Sequence, residues 1–176
     1  MQGNHPVWDV YDQFRTARLN ELYYGRRLLS YERFNFWSEV VVAVTSSSSA
    51  IAGFAFWSSE AGNPAWKAML ALAAVVTVMK PLLNLTKRIR SYEELFSGYR
   101  LQFHDLKDLR IDISQARDYT EAHKARFKKI IDKQRLLADK SPERMEHKRV
   151  KSECQAAVLA EFPSRSFFIP GGRDGR

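Results

Sequence analysis

The sequence predicts an all-α integral membrane protein: a two-helix transmembrane hairpin with an amphipathic N-terminal helix before it and long cytoplasmic exit helices after it. Two apolar runs, Val40–Trp57 and Trp66–Leu85, are the first observation. Each is about 20 residues long with its flanks, which suffices to cross a hydrocarbon core of about 30 Å at about 1.5 Å per residue. The polar loop between them, residues 58–64, is short and forces the two helices to run antiparallel. Elsewhere the apolar residues recur every three or four positions, which is helical spacing.

We divide the chain at the ends of this hydrophobic block. The expected parts are a cytoplasmic or interfacial N-terminal helix in residues 1–35, the hairpin in residues 36–85 with helices at about 38–57 and 65–85, a cytoplasmic helical region in residues 86–162, and a flexible tail in residues 163–176. The N-terminus shows no cleavable signal peptide, because Met1–Pro6 lacks a basic start and an apolar core. The first apolar run is therefore expected to remain as an anchor.

The stretch from Val7 to Phe36 predicts the amphipathic N-terminal helix. Its apolar face has two interpretations. In the first interpretation, the face packs on the helix that leaves the membrane. We favour it because the polar face carries both signs of charge. Alternatively it lies at the lipid interface, with Trp8, Tyr23 and Tyr24 as anchors. Gly25 marks a candidate bend.

Basic residues beside the hairpin predict its orientation. Arginines precede the first crossing and basic residues follow the second, whereas the 58–64 loop has no lysine or arginine. The flanking residues are Arg26, Arg27 and Arg33 on one side and Lys87, Arg88 and Arg90 on the other. Because positive charge accumulates on the cytoplasmic side, both termini are expected to face the cytoplasm.

Small hydroxyl residues make the first crossing unusually polar. Thr45, Ser49 and Gly53 recur every four residues, a small-xxx-small stripe that permits close helix approach, and Ser46 lies beside it. We favour a helix-packing face within a homo-oligomer. The alternatives are the lining of a hydrated pore, and hydroxyls that bond to carbonyls one turn earlier and simply tolerate lipid.

Two charged residues fall inside the predicted crossings. Glu39 lies about one turn inside the first helix, and Lys80 lies about one turn before the end of the second. In an antiparallel hairpin both are near the cytoplasmic face and could pair, and Pro81 could kink the second helix there. The favoured alternative is that Lys80 snorkels and Glu39 is exposed at the interface.

After the hairpin, the apolar positions from Ile89 to Ala116 keep near-heptad spacing, so we expect the second crossing to continue as a long helix with one apolar seam. Residues 117–138 continue the pattern, either in the same helix or, as we favour, in an antiparallel return after a break near Ile113-Ser114. Ser141-Pro142 predicts the start of a further helix that ends near Phe162. The tail is expected to be flexible, although Phe167 and its neighbours could dock.

A basic face on the return helix is a candidate surface for anionic lipid or a nucleotide-like ligand. Its candidate residues are Lys124, Lys128, Lys129 and Arg135. An ordinary solvated cationic face is the favoured alternative. The net charge of +8 suits a membrane surface, anionic head groups or an acidic ligand, but it does not by itself indicate nucleic acid.

The sequence contains no arrangement that indicates catalysis. We find no glycine-rich phosphate loop, no paired Cys or His ligands and no nucleophile elbow, so we expect no enzyme, no cofactor and no metal. Cys154 is the one cysteine, which excludes an internal disulfide framework. Asp105, Asp108 and Asp112 share a helix face with interleaved basic residues, so we expect a salt-bridged surface rather than acid–base chemistry.

Several of these features together resemble the SLATT group, the two-transmembrane effector domains of bacterial nucleotide-second-messenger and antiphage conflict systems. The resemblance covers about residues 8–140. It rests on Arg15-Thr16-Ala17-Arg18, on Tyr24-Gly25-Arg26-Arg27, on the polar first crossing with its tight hairpin, and on the long exit helix with Tyr92.

The resemblance implies a membrane effector in the bacterial inner membrane that oligomerises and permeabilises or depolarises it when a nucleotide signal or a partner protein releases it. The implied partners are the lipid bilayer, further copies of the chain, and a nucleotide second messenger or regulatory protein; no direct DNA binding is expected. The main alternative is a non-toxic membrane anchor or scaffold that recruits a partner enzyme through its cytoplasmic helices. A small transporter subunit ranks last.

Overall fold

The computed structural model describes residues 5–47, 62–143 and 145–170. Within these ranges the chain is helical and contains no β-strand, which confirms the predicted all-α class. The helices are α1 (Val7–Ser47), α2 (Gly62–Leu83), α3 (Leu85–Ala116), α4 (Glu121–Ala138), α5 (Lys148–Glu161) and a short 3₁₀ helix (Ser164–Ser166).

No helix in the described part of the chain is both long enough and apolar enough to cross a membrane.

The chain divides into two compact units, each of which is described by itself. The core unit comprises Met1–Leu28 and Ser91–Arg176, and the apolar unit comprises Leu29–Arg90. The core unit therefore contains the first part of α1, most of α3, and all of α4 and α5.

The centre of the core unit is a contact between α1 and α3. Fully buried side chains of α1, among them Tyr11 and Phe14, pack with Phe103, Leu106 and Leu109 of α3. This confirms that the N-terminal helix packs on the exit helix. The alternative of aromatic lipid anchors is wrong for Tyr23 and Tyr24, which are 3% and 8% exposed in the core unit.

The predicted apolar seam of α3 is confirmed where the helix belongs to the core unit. Its side chains are buried at three- and four-residue steps: Tyr92, Leu95, Tyr99, Phe103, Leu106, Leu109 and Ile113. Ala116, at the end of the predicted seam, is exposed instead, because α3 ends there.

The helix α1 continues through Gly25 without a break, so an interruption of the helix there is excluded. The glycine allows a close approach to α3. A Cβ atom at this position would lie 3.1 Å from the Phe96 ring of α3, which is tighter than ordinary van der Waals contact. The helix also runs through the predicted boundary at residue 35 without interruption.

The second apolar helix does not continue directly into the exit helix, as the sequence had led us to expect. Asn84 separates α2 from α3 and adopts a left-handed backbone with φ 46°. Asparagine tolerates this region better than most residues, because its short polar side chain can bond locally. Its carbonyl accepts the first hydrogen bond of α3, from the Arg88 amide at 3.0 Å.

The expected break between the exit helix and a return helix is present, three residues later than predicted. α3 ends at Ala116, and Arg117 adopts φ 51°. Thr120 then caps α4 in a capping box with His123. The return brings carboxylates of α3 to bases of α4, as in the Lys133–Asp105 pair at 3.4 Å, so the expected salt-bridged surface is confirmed for Asp105 and Asp112.

The start of the last helix was predicted wrongly, whereas its end is as expected. α5 begins at Lys148 rather than at Pro142, and Ser141 lies in the connecting segment. The Ser141 hydroxyl pairs with that of Tyr24 at 3.2 Å instead of capping a helix. In the tail, Phe167 docks into the core, stacked on Tyr11 with ring centroids 4.5 Å apart, so the docking alternative is confirmed at this residue.

Many of the described large apolar side chains of the apolar unit are exposed. Of its described side chains, Ser38, Ala73 and Leu85 are buried. The exposed large apolar residues are Leu29, Phe34, Phe36, Trp37 and Val44 on α1, and Leu72, Val75, Val78 and Met79 on α2. This is the reverse of the arrangement in the core unit, where α1 buries its apolar face.

Candidate functional site

The hydroxyl stripe lies at the limit of the described residues. Thr45 and Ser46 belong to the last turn of α1, although the placement of their side chains is not described. Ser49 and Gly53 lie outside the described residues. The stripe therefore stays a prediction.

The two charges inside the predicted crossings are only partly described. Glu39 is exposed on α1, and its carboxylate accepts a hydrogen bond from the Asn35 amide at 3.0 Å. Lys80 belongs to α2, but its side chain lies outside the description. A Glu39–Lys80 pair stays a prediction.

Two of the four candidate residues on the basic face of α4 are paired with nearby carboxylates. Lys124 pairs with Glu121 at 2.5 Å and Arg135 with Asp132 at 3.4 Å, both within one turn. Lys128 and Lys129 are exposed, and no ion pair forms at either of them within the described residues. Exposed ion pairs of this kind contribute little to stability, because solvent competes for the charges. The face therefore still offers positive charge to solvent or a ligand.

The carboxylate of Glu143, in the segment between α4 and α5, accepts three side-chain hydrogen bonds from the described residues of the core unit. It accepts hydrogen bonds from Arg27 Nε at 2.6 Å and from the Tyr92 hydroxyl at 2.5 Å on one oxygen, and from the Tyr23 hydroxyl on the other. Its side chain is 10% exposed and that of Arg27 is 23% exposed. We refer to Glu143, Arg27, Tyr23 and Tyr92 as the Glu143 cluster.

Helical geometry brings the donors of the Glu143 cluster together. Tyr23 and Arg27 are four residues apart on α1 and therefore share one face. Tyr92 is the second residue of α3 within the core unit, as Arg27 is the second-last residue of α1 within it. The cluster thus ties the α4–α5 connection to both helices at the point where each leaves the core unit.

The hydrogen bonds decide the ionisation of the cluster. Burial by itself would raise the pKa of Glu143, but donation from Tyr23, Tyr92 and Arg27 outweighs burial and lowers the pKa below its ordinary value. Burial and the bond to Glu143 raise the pKa of Tyr23 to about 12, although its oxygen also accepts the His147 amide at 2.8 Å. The cluster therefore holds an ionised Glu143 carboxylate and a neutral Tyr23 phenol at neutral pH.

Further arginines of α1 reach the same C-terminal part of the chain. Arg15 donates to the Phe162 carbonyl at 2.7 and 3.0 Å, Arg18 pairs with Glu161 at 3.1 Å, and Arg26 pairs with Glu153 at 3.2 Å. The arginines of both motifs that carry the SLATT resemblance therefore bind the segment that follows α4. Two of the arginines that set the predicted orientation, Arg26 and Arg27, are ion-paired in this way.

The sequence did not reveal Glu143. It is one acidic residue in a short polar connection, and its three donors are separated from it by 51 to 120 positions. The one local signal is the i, i+4 spacing of Tyr23 and Arg27, which many surface helices share.

The described residues offer little other chemistry. Cys154 is a free thiol buried against the core, and burial raises its pKa. Within the described ranges, no three His, Cys, Asp or Glu side chains come together as a metal site would need. The cluster can hold charge and position helices, and it contains no activated nucleophile.

Comparison of the chain with protein-family models, with curated proteins and with solved structures gave no match.

Proposed function

We propose that the protein is a membrane effector of a bacterial antiphage defence system. It oligomerises in the inner membrane, with both termini in the cytoplasm, and permeabilises or depolarises that membrane when a nucleotide signal or a partner protein releases it. The proposal combines the resemblance to the SLATT group with the distribution of apolar side chains between the two units.

The observation that carries the membrane part is the outward-facing apolar surface of the unit Leu29–Arg90. Trp37 is 61% exposed, Val78 is 62% exposed and Val75 is 59% exposed. Large contiguous apolar patches are uncommon on soluble monomers and mark contacts with membranes or other proteins. Phe34, Phe36 and Trp37 also suit the interfacial belt in which aromatic rings concentrate. A bilayer and further copies of the chain would cover this surface.

The Glu143 cluster supports the control part. An effector that is held inactive needs a contact between the part that receives the signal and the helices that enter the membrane. Glu143 joins the α4–α5 connection to α1 and α3, the two helices that continue into the apolar unit. We propose that the signal acts on the C-terminal helices and reaches the membrane through this tie.

Inducing the full chain in bacteria that carry a membrane-potential dye tests the proposal. We expect depolarisation and growth arrest, either on induction or after phage challenge, because a polar stripe can pack or line a conducting assembly. Thr45→Leu and Ser49→Leu should abolish depolarisation while the protein still enters the membrane fraction, since leucine adds bulk and removes the hydroxyl.

The matched control is Ser152→Leu, the same kind of change at an exposed position of α5. It should leave depolarisation unchanged. Absence of depolarisation on induction and on phage challenge, with the protein in the membrane fraction, would remove the pore-forming function.

A second candidate function is a non-toxic anchor or scaffold that recruits a partner enzyme. The groove between α3 and α4 favours it: its volume is about 270 Å³, and its rim carries Leu101 and Leu136, which are 61% and 67% exposed. This candidate predicts normal membrane potential in the dye experiment, together with co-purification of a partner that Leu136→Asp abolishes.

A further inference from the structure

A second polar site lies in the core unit, apart from the Glu143 cluster. It is a cavity of about 170 Å³ between α3 and the docked tail. Its wall combines Arg110, Ser114 and Gln115 of α3 with Ser166 and Phe167 of the tail. None of the described residues that line it is acidic. The cavity is smaller than the roughly 300 Å³ at which pockets for drug-sized ligands begin, so it suits a small group.

Arg110 is held in this cavity by aromatic rings rather than by a carboxylate. Its guanidinium carbon lies 5.1 Å from the ring centroid of Phe14, 5.9 Å from that of Phe162 and 5.8 Å from that of Phe167. Cation–π contacts at these distances fix the position of the group and compensate part of its charge. They leave donors at the edge of the guanidinium plane for a further partner.

No carboxylate supplies that partner among the described residues. Of the aspartates nearest in sequence on α3, Asp112 pairs with Arg126 of α4, and Asp108 is exposed and forms no ion pair with Arg110 within the described residues. Arg15, which also lies over the Phe167 ring at 4.8 Å, differs in this respect, because its guanidinium donates to the Phe162 carbonyl and to Ser164. Arg110 is thus a positioned cation in a cavity whose described wall residues include no acidic side chain.

The remaining polar groups of the wall add donors beside Arg110. Ser114 lies one helical turn from Arg110 and therefore on the same face of α3. Gln115 adds an amide group, while the Ser166 hydroxyl is already engaged with the Pro163 carbonyl at 2.7 Å. A guanidinium fork with a hydroxyl and an amide beside it offers more donors than the two oxygens of a planar carboxylate need, so it suits an oxyanion with three or four oxygens.

We propose that this cavity binds a phosphate group, either inorganic phosphate or a phosphate monoester, with Arg110 as the anchoring residue and Ser114 and Gln115 as additional donors. This is the arrangement in which arginine is most effective, because its fork offers two parallel N–H donors to one oxyanion. The site belongs to the core unit, and the proposal that it binds phosphate is independent of the membrane function proposed above.

Isothermal titration calorimetry of the full-length protein with inorganic phosphate tests the proposal. We expect saturable binding at one site, and about tenfold or greater loss of affinity in Arg110→Gln, because a charge-assisted pair of hydrogen bonds is removed. Arg110→Lys should also weaken binding, since lysine keeps the charge but loses the fork and the stacking.

Arg100→Gln is the matched control, because it makes the same change at an exposed arginine of the same helix. It should bind phosphate like the unaltered protein. Arg110→Gln removes cation–π contacts and could loosen the core, so Ser114→Glu is the second variant. It keeps Arg110 and its rings, and places a carboxylate one turn away that should pair with Arg110 and abolish phosphate binding.

Competition distinguishes the sources of the phosphate group. Displacement of inorganic phosphate by phenyl phosphate alone supports the site with a soluble monoester as ligand. Displacement by dihexanoylphosphatidic acid as well, but not by dihexanoylphosphatidylcholine, supports it with a lipid head group as ligand. Absence of saturable phosphate binding, or equal binding in Ser114→Glu, would overturn the proposal.

Discussion

Replacing Glu143 with glutamine is expected to lower the free energy of unfolding of the core unit by about 2–4 kcal/mol. The carboxylate accepts three side-chain hydrogen bonds, from Arg27, Tyr23 and Tyr92. A neutral amide has one acceptor oxygen and no charge, so it removes the ion pair with the guanidinium of Arg27, which is 23% exposed. The measurement is hydrogen exchange of the buried amides of α3 in the purified full-length protein.

The difference between the two proteins should also depend on pH, and its direction follows from the lowered pKa of Glu143. A carboxyl group whose pKa is lower in the folded than in the unfolded state binds fewer protons when folded. Its contribution is therefore fully present above the unfolded value of about 4.3 and is lost as the pH falls through the lower folded value. The stability gap between the unaltered protein and Glu143→Gln should be constant from pH 6 to 8 on this account, and should close in strong acid.

Glu153→Gln provides the control. Glu153 also pairs with an arginine of α1, Arg26 at 3.2 Å, but its side chain is 51% exposed. We expect a loss of about 0–1 kcal/mol, because exposed ion pairs are solvated and screened. Equal effects of Glu143→Gln and Glu153→Gln would show that burial does not strengthen the Glu143 cluster. If Glu143→Gln also releases depolarisation without a trigger, the cluster restrains the membrane part, as we propose.

Replacing Phe14 with alanine is expected to lower the free energy of unfolding of the core unit by about 3–5 kcal/mol. Phe14 is fully buried at the centre of the α1–α3 contact. Its ring stacks on Phe103 with centroids 4.9 Å apart and meets the edge of Phe162 at 4.8 Å. The truncation removes the transfer free energy of the ring and leaves a cavity that close-packed neighbours fill only in part.

The same hydrogen-exchange measurement checks this prediction, with Leu159→Ala as control. Leu159 lies on α5 and is 51% exposed, so its truncation should change stability by less than about 0.5 kcal/mol. Phe14→Leu should lie between the two, because leucine fills part of the space. A loss below about 1 kcal/mol in Phe14→Ala would contradict the central position of this ring.

The parts of the fold that were predictable are those that periodicity encodes. The apolar steps of α3 from Tyr92 to Ile113 indicated a buried seam, and these positions are buried. The amphipathic pattern of α1 likewise indicated a buried face, and Phe14 is fully buried on it. Each of these inferences uses neighbours within a few turns of one helix, and a 3.6-residue repeat can be recognised in the sequence over that distance.

The failures concern helix ends. Ser141-Pro142 has the residue types of a helix start, yet the Ser141 hydroxyl pairs with Tyr24 and α5 begins at Lys148. Asn84 is neither a glycine nor a proline, the two residue types that usually mark a break, yet it separates α2 from α3. A residue that can cap or break a helix does so only if the surrounding contacts stabilise that conformation, and those contacts come from distant parts of the chain.

The sequence by itself determined the helical class, the apolar block in residues 36–85 as the part to examine for membrane contact, and the face of α1 that is buried. These follow from local hydrophobic patterns, because burial of apolar surface is the dominant favourable term in folding and needs no particular partner. Only the tertiary structure decided which charges meet. Glu143 is far from Arg27 and Tyr92 in the chain, and Arg110 became a candidate phosphate ligand because the fold brings the rings of Phe14, Phe162 and Phe167 close to it. Hydrogen bonds and ion pairs are short and directional, so the partner of a polar group depends on the fold that brings it within reach.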